Sequence, residues 1–203
     1  MKENQFDSVA PVYDTLVKLI FGKSLYKAQT HHLDIIEQGD KVLIVGGGTG
    51  QILKHKAFRK AESIDYVELS TKMIKRAQKH ASGLHQVSFY QKDFFDHEGQ
   101  YDLIVCNFFL DCLDEDHLTL AVRKLEEMLQ PNGSLLVTDF RNTSNFSNRL
   151  LTSTMLLFFR VFSGLQAKTL HDIPKAIERK FVSDKMQEFK RGFIFSALYR
   201  PLN

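Results

Sequence analysis

A short glycine-rich segment carries the most specific chemistry in the sequence. Residues 42–45 are apolar and predict a buried strand, and Gly46, Gly48 and Gly50 follow it directly. Glycines at this spacing allow a sharp turn and let the backbone approach a ligand that a Cβ atom would obstruct. The third glycine of the fingerprint G-x-G-x-x-G would fall at Gln51, so the spacing fits a dinucleotide poorly. The segment therefore favours another nucleotide-containing cofactor over NAD, and over a purely structural turn.

Two acidic residues follow later predicted strands. Glu68 ends the strand predicted over 63–68, and Asp93 follows the one predicted over 87–90. A carboxylate at the end of the second strand can accept hydrogen bonds from both hydroxyls of a ribose. Asp93 can accept one from the amino group of adenine, with Phe94 beside the ring. Glu68 alone would be an ordinary solvated charge, but together with Asp93 and the glycines it indicates an adenosine-containing ligand.

The composition bounds the class of protein. A chain of 203 residues with 43% hydrophobic content suits one domain with a well-filled core. Its 27 basic and 24 acidic residues are spread along the sequence, which does not indicate nucleic-acid binding. Cys106 and Cys112 lack metal or disulfide spacing, and the N-terminus has no signal-peptide pattern, so we expect a cytoplasmic protein. The apolar run 155–162 is too short to span a bilayer.

Strands and helices alternate through the first two thirds of the sequence. After the first strand, Ile52, Leu53, Ala57 and Phe58 predict a helix. Two further helices are predicted with N-caps at Ser70 and Asp114, and the remaining strands over 63–68, 87–90, 101–106 and 134–140. This alternation predicts an α/β fold, a Rossmann-like, mostly parallel seven-stranded sheet with helices on both faces. Ligands of such sheets bind at the carboxyl ends of the strands.

The C-terminal third breaks the alternation. A polar stretch at 141–148 leads into an apolar segment at 150–165, and a last helix is predicted from Asp172 to about Phe181. Segments 186–190 and 193–199 flank Arg191 and Gly192 and predict a closing antiparallel hairpin. We therefore expect a single domain, residues 1–203. It comprises an N-terminal helical segment (1–38), a cofactor-binding core (39–140), a lid insertion with the last helix (141–181) and a closing hairpin (182–203).

Five motifs in order resemble the class I S-adenosylmethionine-dependent methyltransferases over residues 6–199. The glycine segment resembles motif I, Glu68 with Leu69 opens a segment like motif II, and Asp93 matches the adenine-side acid. Segment 101–110 resembles motif IV, and the turn 131–133 with the strand after it is similar to the common P-x-G turn and fifth strand. The opening segment 6–14 is similar to the ubiquinone/menaquinone C-methyltransferase branch, in which a tyrosine at the position of Tyr13 lies over the cofactor.

The resemblance implies S-adenosylmethionine as the cofactor. It implies these cofactor-binding residues: Tyr13, Gly46, Gly48, Gly50, Glu68, Leu69, Asp93, Phe94 and Asn107. One position departs from the family, because Ile44 stands where an acid helps to hold the methionine end of the cofactor. A charged ammonium without a partner in a partly desolvated pocket is costly. The contact has then moved, for example to Asp14 or Asp111, or the affinity is reduced.

Candidate catalytic groups are few. A base is needed only if the methyl acceptor must lose a proton, and Asp111 and His171 are the candidates. Each also has a structural interpretation, Asp111 as a loop cap and His171 as an exposed residue before its helix. No metal site is predicted, because His31 and His32 are helix neighbours whose side chains diverge.

The sequence thus predicts an enzyme that transfers a methyl group in line to a small, hydrophobic or aromatic acceptor. The lid residues Met155, Leu157, Phe158, Phe159 and Phe162 favour such an acceptor. We expect no nucleic-acid partner and no membrane span, although association with a membrane surface stays open. The alternatives are a cofactor-binding protein without transfer, motivated by Ile44, an RNA methyltransferase and an NAD-linked oxidoreductase. The motif 107–110 lacks the prolines typical of enzymes that methylate base amino groups.

Overall fold

The computed structural model describes residues 22–141 and 171–202. Within these ranges the chain begins with helix α1 (Ser24–Thr30) and then alternates strands with helices. The elements are β1 (Lys41–Val45), β2 (Ser63–Glu68), α2 (Thr71–His80), β3 (Val87–Gln91), β4 (Tyr101–Asn107), α3 (Glu115–Glu127), β5 (Leu129–Phe140), α4 (Ile173–Ile177), β6 (Phe181–Phe189) and β7 (Ile194–Pro201).

The strands form one seven-stranded sheet in the order β3-β2-β1-β4-β5-β7-β6. Strands β1 to β5 pair in parallel, and β7 pairs antiparallel with both β5 and β6. The predicted sheet architecture is therefore confirmed. The strand order reverses between β1 and β4, and in open α/β sheets such a reversal opens a crevice at the carboxyl ends of the strands.

Alternating side chains of the central strands fill a core on each face of the sheet. Ile44 and Val105 face one layer, beneath α2, whereas Leu43 and Ile104 face the other, beneath α3 and α4. Burial on both faces explains why these strands are continuously apolar in sequence.

Short polar side chains start the helices as the sequence predicts. Ser70 Oγ accepts from the Met73 N–H at 3.2 Å, and Asp114 Oδ1 accepts from the His117 N–H at 2.9 Å. Each cap satisfies an otherwise unpaired backbone donor in the first turn. These caps fix where α2 and α3 begin, and therefore how β2 and β4 lead into the crevice.

The segment after the glycine loop differs from the prediction. Instead of one helix it forms two 3-10 helices, Gln51–Lys54 and Lys56–Lys60. His55 separates them in an extended conformation and accepts from the Ala57 N–H through Nδ1. Ile52, Leu53, Ala57 and Phe58 are nevertheless buried, as expected. The apolar spacing identified the buried side correctly, but it did not distinguish an α-helix from two tighter turns.

Three boundaries near the C-terminus also differ. Strand β5 begins at Leu129 rather than at residue 134, with an irregular register around the P-x-G turn. Helix α4 ends at Ile177, because β6 already begins at Phe181. The hairpin turn between β6 and β7 is longer than the predicted dipeptide, with positive φ angles at Lys190, Arg191 and Gly192. The predicted lid segment, 150–165, lies outside the described residues.

Candidate cofactor site

The glycine loop leaves β1 through three residues in the left-handed region. Gly46, Gly48 and Gly50 have φ angles of 59°, 60° and 72°, a conformation that glycine adopts without steric penalty. The Gly46 N–H donates to the Val67 carbonyl at 2.9 Å, which ties the loop to β2. A Cβ atom built on Gly48 would have no heavy atom within 4 Å. The backbone at Gly48 is therefore open on the side where a ligand would approach.

At Gly47 and Gly50, unlike Gly48, neighbouring residues occupy the space that a Cβ atom would need. A Cβ atom on Gly47 would lie 2.1 Å from Tyr66 Cζ, and one on Gly50 would lie 2.6 Å from Ala77 Cβ. Both distances are far below van der Waals contact. The loop is thus pressed against β2 at Gly47 and against α2 at Gly50, while Gly48 faces the cavity.

Tyr66 supports the loop from below, a role that the sequence reasoning missed. Its side chain is fully buried, and its hydroxyl donates to the Gly48 carbonyl at 2.9 Å. Burial raises the pKa of Tyr66 well above its ordinary value, and the charge of Glu68 adds to that shift. The hydroxyl therefore stays protonated and remains a donor. A tyrosine two residues before the strand-end acid, on the same side of the strand, was the available signal.

Glu68 lies at the end of β2 with both carboxylate oxygens in contact with backbone donors. Oε2 accepts from the Gly48 N–H and Oε1 from the Ser70 N–H, each at 2.9 Å. The prediction assigned this carboxylate to a ribose, and the structure adds that it also braces the glycine loop. The bond of Glu68 to a ribose stays a prediction.

Asp93 and Phe94 lie at the end of β3, on the next side of the crevice. Asp93 caps the 3-10 helix Phe94–Asp96, accepting from the Phe95 N–H through Oδ1 at 3.1 Å. Phe94 packs edge-to-face against Phe109, with ring centroids 5.6 Å apart. The end of β3 thereby touches the loop that follows β4, and the two together border the same cavity.

Asn107 ends β4 with an unpaired amide group. Only 7% of the residue is exposed, and within the part of the chain that the structure describes neither Oδ1 nor Nδ2 has a hydrogen-bond partner. Leaving a buried amide unpaired costs about 1–3 kcal/mol. Since Asn107 lines the cavity, a polar ligand would provide the missing partner.

These strand ends surround one cavity of about 630 Å³, a size that suits a cofactor or small-molecule ligand. Eight of the nine residues that the sequence assigned to cofactor binding line it: Gly46, Gly48, Gly50, Glu68, Leu69, Asp93, Phe94 and Asn107. The ninth, Tyr13, lies outside the described residues. Helix α1 contributes Tyr26 and Gln29, and the loop after β4 contributes Phe108 and Cys112. The individual roles of the nine residues assigned from the sequence stay predictions.

Ile44 also lines the cavity, with 1% of its surface exposed. It pairs with Val105 of β4, and Asn107 lies two residues further along that strand. Since side chains alternate along a strand, Ile44 and Asn107 face the same side of the sheet. The apolar residue at the position of the family's acid is therefore part of the cavity wall.

The two candidate bases lie apart. Asp111 is buried against Asp139, and burial raises the pKa of Asp111 to about 6. It does not border the cavity, although its neighbour Cys112 does. His171 lies just before α4, half-buried, and is not among the described residues that line the cavity.

The described residues were also compared with the requirements of a metal site and of a membrane-spanning helix. Among residues 22–141 and 171–202, no cluster of His, Cys, Asp and Glu is arranged to hold a metal ion. No helix in the same ranges has the length and apolarity needed to cross a bilayer.

The seven-stranded sheet, with its glycine loop after β1 and acids after β2 and β3, defines the fold of class I methyltransferases. Solved structures share it. The DhpI complex with S-adenosylhomocysteine superposes with a TM-score of 0.68 at 17% identity, covering 98% of this chain and 94% of that one. In sequence, the family described as a methyltransferase domain matches residues 43–135.

Curated relatives agree with the family match. A malonyl-(acyl-carrier protein) O-methyltransferase of Halalkalibacterium halodurans is 34% identical over 115 residues, 53% of this chain and 41% of that protein. The ubiquinone/menaquinone biosynthesis C-methyltransferase UbiE of Pseudomonas paraeruginosa is 30% identical over 154 residues, 69% of this chain and 58% of that protein. The chain spans about half the length of the curated relatives it matches.

These matches confirm the resemblance inferred from the sequence. Residues 43–135 match the methyltransferase-domain family, the fold is that of the class I S-adenosylmethionine-dependent methyltransferases, and S-adenosylmethionine is the cofactor of that class. The residues present fit this group. The open backbone at Gly48 leaves room for it, and the amide of Asn107 lacks a partner that it would supply.

Proposed function

We propose that the chain transfers a methyl group from S-adenosylmethionine to a small acceptor with an apolar or aromatic surface. The observation that carries this proposal is the position of the unpaired Asn107 amide, on the wall of the cavity that the glycine loop also borders. A protein that only needed a well-packed sheet would leave neither an unpaired buried amide nor open space at Gly48.

Different residues around the cavity would bind different parts of the cofactor. The glycine loop and Glu68 would hold the adenosine part of the cofactor, and Asp93 with Phe94 would flank its base. When bound, S-adenosylmethionine supplies an electrophilic methyl group on a sulfonium. The protein then needs to align the acceptor with that group and exclude water, because displacement at the methyl carbon is an in-line reaction.

The acceptor side of the cavity supports an apolar ligand. Phe108 and Phe109 follow Asn107 directly, and Met73 of α2 adds a further apolar wall. No described residue at this wall is an evident general base, since Asp111 is withdrawn into a buried pair. This arrangement favours an acceptor atom that needs no proton removed by a protein side chain before transfer.

A second candidate, cofactor binding without methyl transfer, is favoured by one observation. Ile44 places a buried apolar side chain where the family has an acid, so the ammonium of the methionine end lacks that partner. Reduced retention of the cofactor would follow, and methyl transfer would be slow or absent.

Both candidate functions require binding of the cofactor, and calorimetric titration with S-adenosylmethionine and S-adenosylhomocysteine tests that binding. We expect micromolar to submillimolar dissociation constants, and absence of binding at millimolar ligand would refute both. Formation of S-adenosylhomocysteine during incubation with a panel of phenols, quinones and amines then separates them. Turnover with any apolar acceptor supports the transferase, whereas weak binding with no turnover across the panel favours the second candidate. Binding of NADH instead would favour the oxidoreductase.

A further inference from the structure

The cavity carries no acid where the methionine end of the cofactor would lie. Ile44, at the position of the family's acid, is 1% exposed and lines the cavity. It pairs with Val105, so this part of the cavity lies beside the edge that β1 shares with β4. The cavity-lining residues from the end of β4 and the loop after it are also uncharged: Asn107, Phe108, Phe109 and Cys112.

The acids that do line the cavity lie on the other side of β1. Among the described residues they are Glu68, at the end of β2, and Asp93, after β3, and the strand order places β2 and β3 away from β4. Both carboxylates already accept from backbone N–H groups, Glu68 from Gly48 and Ser70, and Asp93 from Phe95. The ammonium of the methionine end therefore has no acid beside it in the part of the chain that the structure describes.

Lys23 brings a positive charge to the cavity from the start of helix α1. It directly precedes the helix and lines the cavity together with Leu25. Leu25 belongs to a buried cluster with Phe140 of β5. Phe108 packs against the same cluster, with a φ angle of 53° that is strained for a residue with a Cβ atom. Helix α1 thus packs over the β4 side of the crevice, where the acid is missing.

The ammonium group of Lys23 is available to a ligand. Lys23 is exposed, and within residues 22–141 and 171–202 its side chain has neither a hydrogen bond nor an ion pair. The other lysine of the cavity wall, Lys92, donates to the Asp96 carbonyl at 3.2 Å and lies 5.6 Å from the centre of the Tyr90 ring. Lys23 therefore differs from Lys92 in having no partner of its own.

Asn107 does not decide between the two charged groups of the methionine end. Its buried amide offers an unpaired oxygen to an ammonium and an unpaired N–H group to a carboxylate. Because the amide is neutral, it compensates the charge of neither group. A preference for one of them must then come from Lys23.

We infer that the site holds the methionine end of the cofactor by its carboxylate, through Lys23, rather than by its ammonium. This inference rests on the cofactor binding of the proposed function and names the group of the cofactor that is recognised. The carboxylate gains a charge-assisted hydrogen bond from Lys23, whereas Ile44 offers the ammonium no charge. The site therefore distinguishes analogues of the cofactor in the opposite sense to a site with an acid at that position.

Three ligands with the same adenosine part separate the two groups. S-adenosylhomocysteine carries both, its deaminated analogue keeps only the carboxylate, and its decarboxylated analogue keeps only the ammonium. In calorimetric titrations we expect the deaminated analogue to bind within about twofold of S-adenosylhomocysteine and the decarboxylated one about fivefold more weakly, the size of an exposed ion pair. The inference is overturned if loss of the amine weakens binding as much as loss of the carboxylate, or more.

Lys23→Met removes the charge and keeps an unbranched side chain. It should weaken S-adenosylhomocysteine and the deaminated analogue about fivefold and leave the decarboxylated analogue within about twofold. Lys27→Met is the matched control, since Lys27 is an exposed lysine one turn later on α1 and does not line the cavity. It should bind all three ligands as the wild-type protein does. A Lys23→Met variant with unchanged affinities, or with all three lowered alike, would contradict the inference.

Salt provides a second readout of the same contact. Raising the ionic strength from about 0.01 M to about 1 M shortens the Debye length from about 30 Å to about 3 Å. The preference for S-adenosylhomocysteine over its decarboxylated analogue should shrink in the wild-type protein, and Lys23→Met should show little preference at either salt concentration. A wild-type preference that persists unchanged at high salt would exclude Lys23 as its source.

These outcomes keep the inference separate from the proposed function. If adenosine and all three ligands fail to bind at millimolar concentration, the proposed function falls and the inference falls with it. If S-adenosylhomocysteine binds but the decarboxylated analogue binds equally well, the inference alone falls.

Discussion

The two walls of the cavity are built in opposite ways. On the glycine side the polar groups pair with one another, since Tyr66 and Glu68 both bond to Gly48, through its carbonyl and its N–H. On the β4 side the Asn107 amide has no partner among the described residues, and Phe108 is held in a strained conformation. The first wall is completed by folding alone, whereas the second contains an interaction that only a ligand would complete.

This contrast separates stability from affinity. Changes on the glycine side should lower the free energy of unfolding together with ligand affinity, because the same bonds support the loop and shape the site. Changes on the β4 side should affect affinity while leaving stability constant or raising it, since binding sites commonly retain groups that are unfavourable for folding. The predictions that follow test this contrast, beginning with the largest expected effect.

Gly47→Ala should damage the first wall most. The added methyl group would lie 2.1 Å from the buried Tyr66 ring, and overpacking of this kind costs about 3 kcal/mol of stability or more. Denaturant unfolding measures the loss, and S-adenosylhomocysteine binding should fall with it. Gly48→Ala is the control, because its Cβ atom meets only open space and only the positive φ is penalised, by about 1 kcal/mol. Equal losses in the two variants would contradict the close packing at Gly47.

Glu68→Ala should affect both quantities by about 2 kcal/mol each. It removes the acceptor of two backbone N–H groups, and a lost bond to a charged group contributes about 1–3 kcal/mol. Calorimetry should show that adenosine and S-adenosylhomocysteine are weakened alike, since both carry the ribose. A variant that is destabilised but binds both ligands normally would restrict Glu68 to the loop-bracing role.

Asn107→Ala should separate the two quantities. Removing an unpaired buried amide should leave the free energy of unfolding unchanged or raise it by up to about 1 kcal/mol, while S-adenosylhomocysteine affinity falls by about 1–2 kcal/mol. Thr138→Ala is the matched control. Thr138 pairs with Asn107 in the sheet, but its hydroxyl already donates to Ser196 Oγ at 3.0 Å. This control should lose stability and keep its affinity, and the reverse pattern would disprove the contrast between the walls.

Tyr66→Phe should have the smallest effect. It deletes the hydroxyl that donates to the Gly48 carbonyl and keeps the ring beneath Gly47. The loss of one neutral hydrogen bond predicts about 1 kcal/mol in thermal or denaturant unfolding. Affinity should fall only a few-fold, because Glu68 still holds the N–H of the same glycine. A tenfold or larger loss would mean that the hydroxyl, rather than Glu68, sets the shape of the loop.

Local chemistry explains what the sequence predicted well. Strand ends followed from apolar runs that stop at a polar residue, as at Glu68, and helix starts followed from capping residues such as Ser70 and Asp114. Because parallel strands end at the same edge of a sheet, the amino-acid sequence alone was enough to place the glycines, Glu68, Asp93 and Asn107 around one cavity.

Contacts between strands explain what the sequence did not predict. The contacts of Tyr66 and Asp139 depend on which strands are neighbours and on the register between them. The spacing of residues along a single strand contains no information about either. Asp139 is visible in the sequence as an acid within the fifth strand. Its hydrogen-bond partner, the N–H of Asp111, lies 28 residues earlier and cannot be recognised from the sequence. The two 3-10 helices after Gly50 were missed for another reason, since their buried residues also fit the spacing of an α-helix.

The contact between Gly50 and Ala77 has an evolutionary consequence. The two residues belong to different elements, yet Gly50 cannot be enlarged while Ala77 stays where it is, because a Cβ atom on Gly50 would lie 2.6 Å from that of Ala77. Selection on the loop therefore acts on the helix as well. Descendants of this chain that accept a bulkier residue at Gly50 must move α2 away from the loop, and Met73 of that helix, which lines the cavity, would move with it.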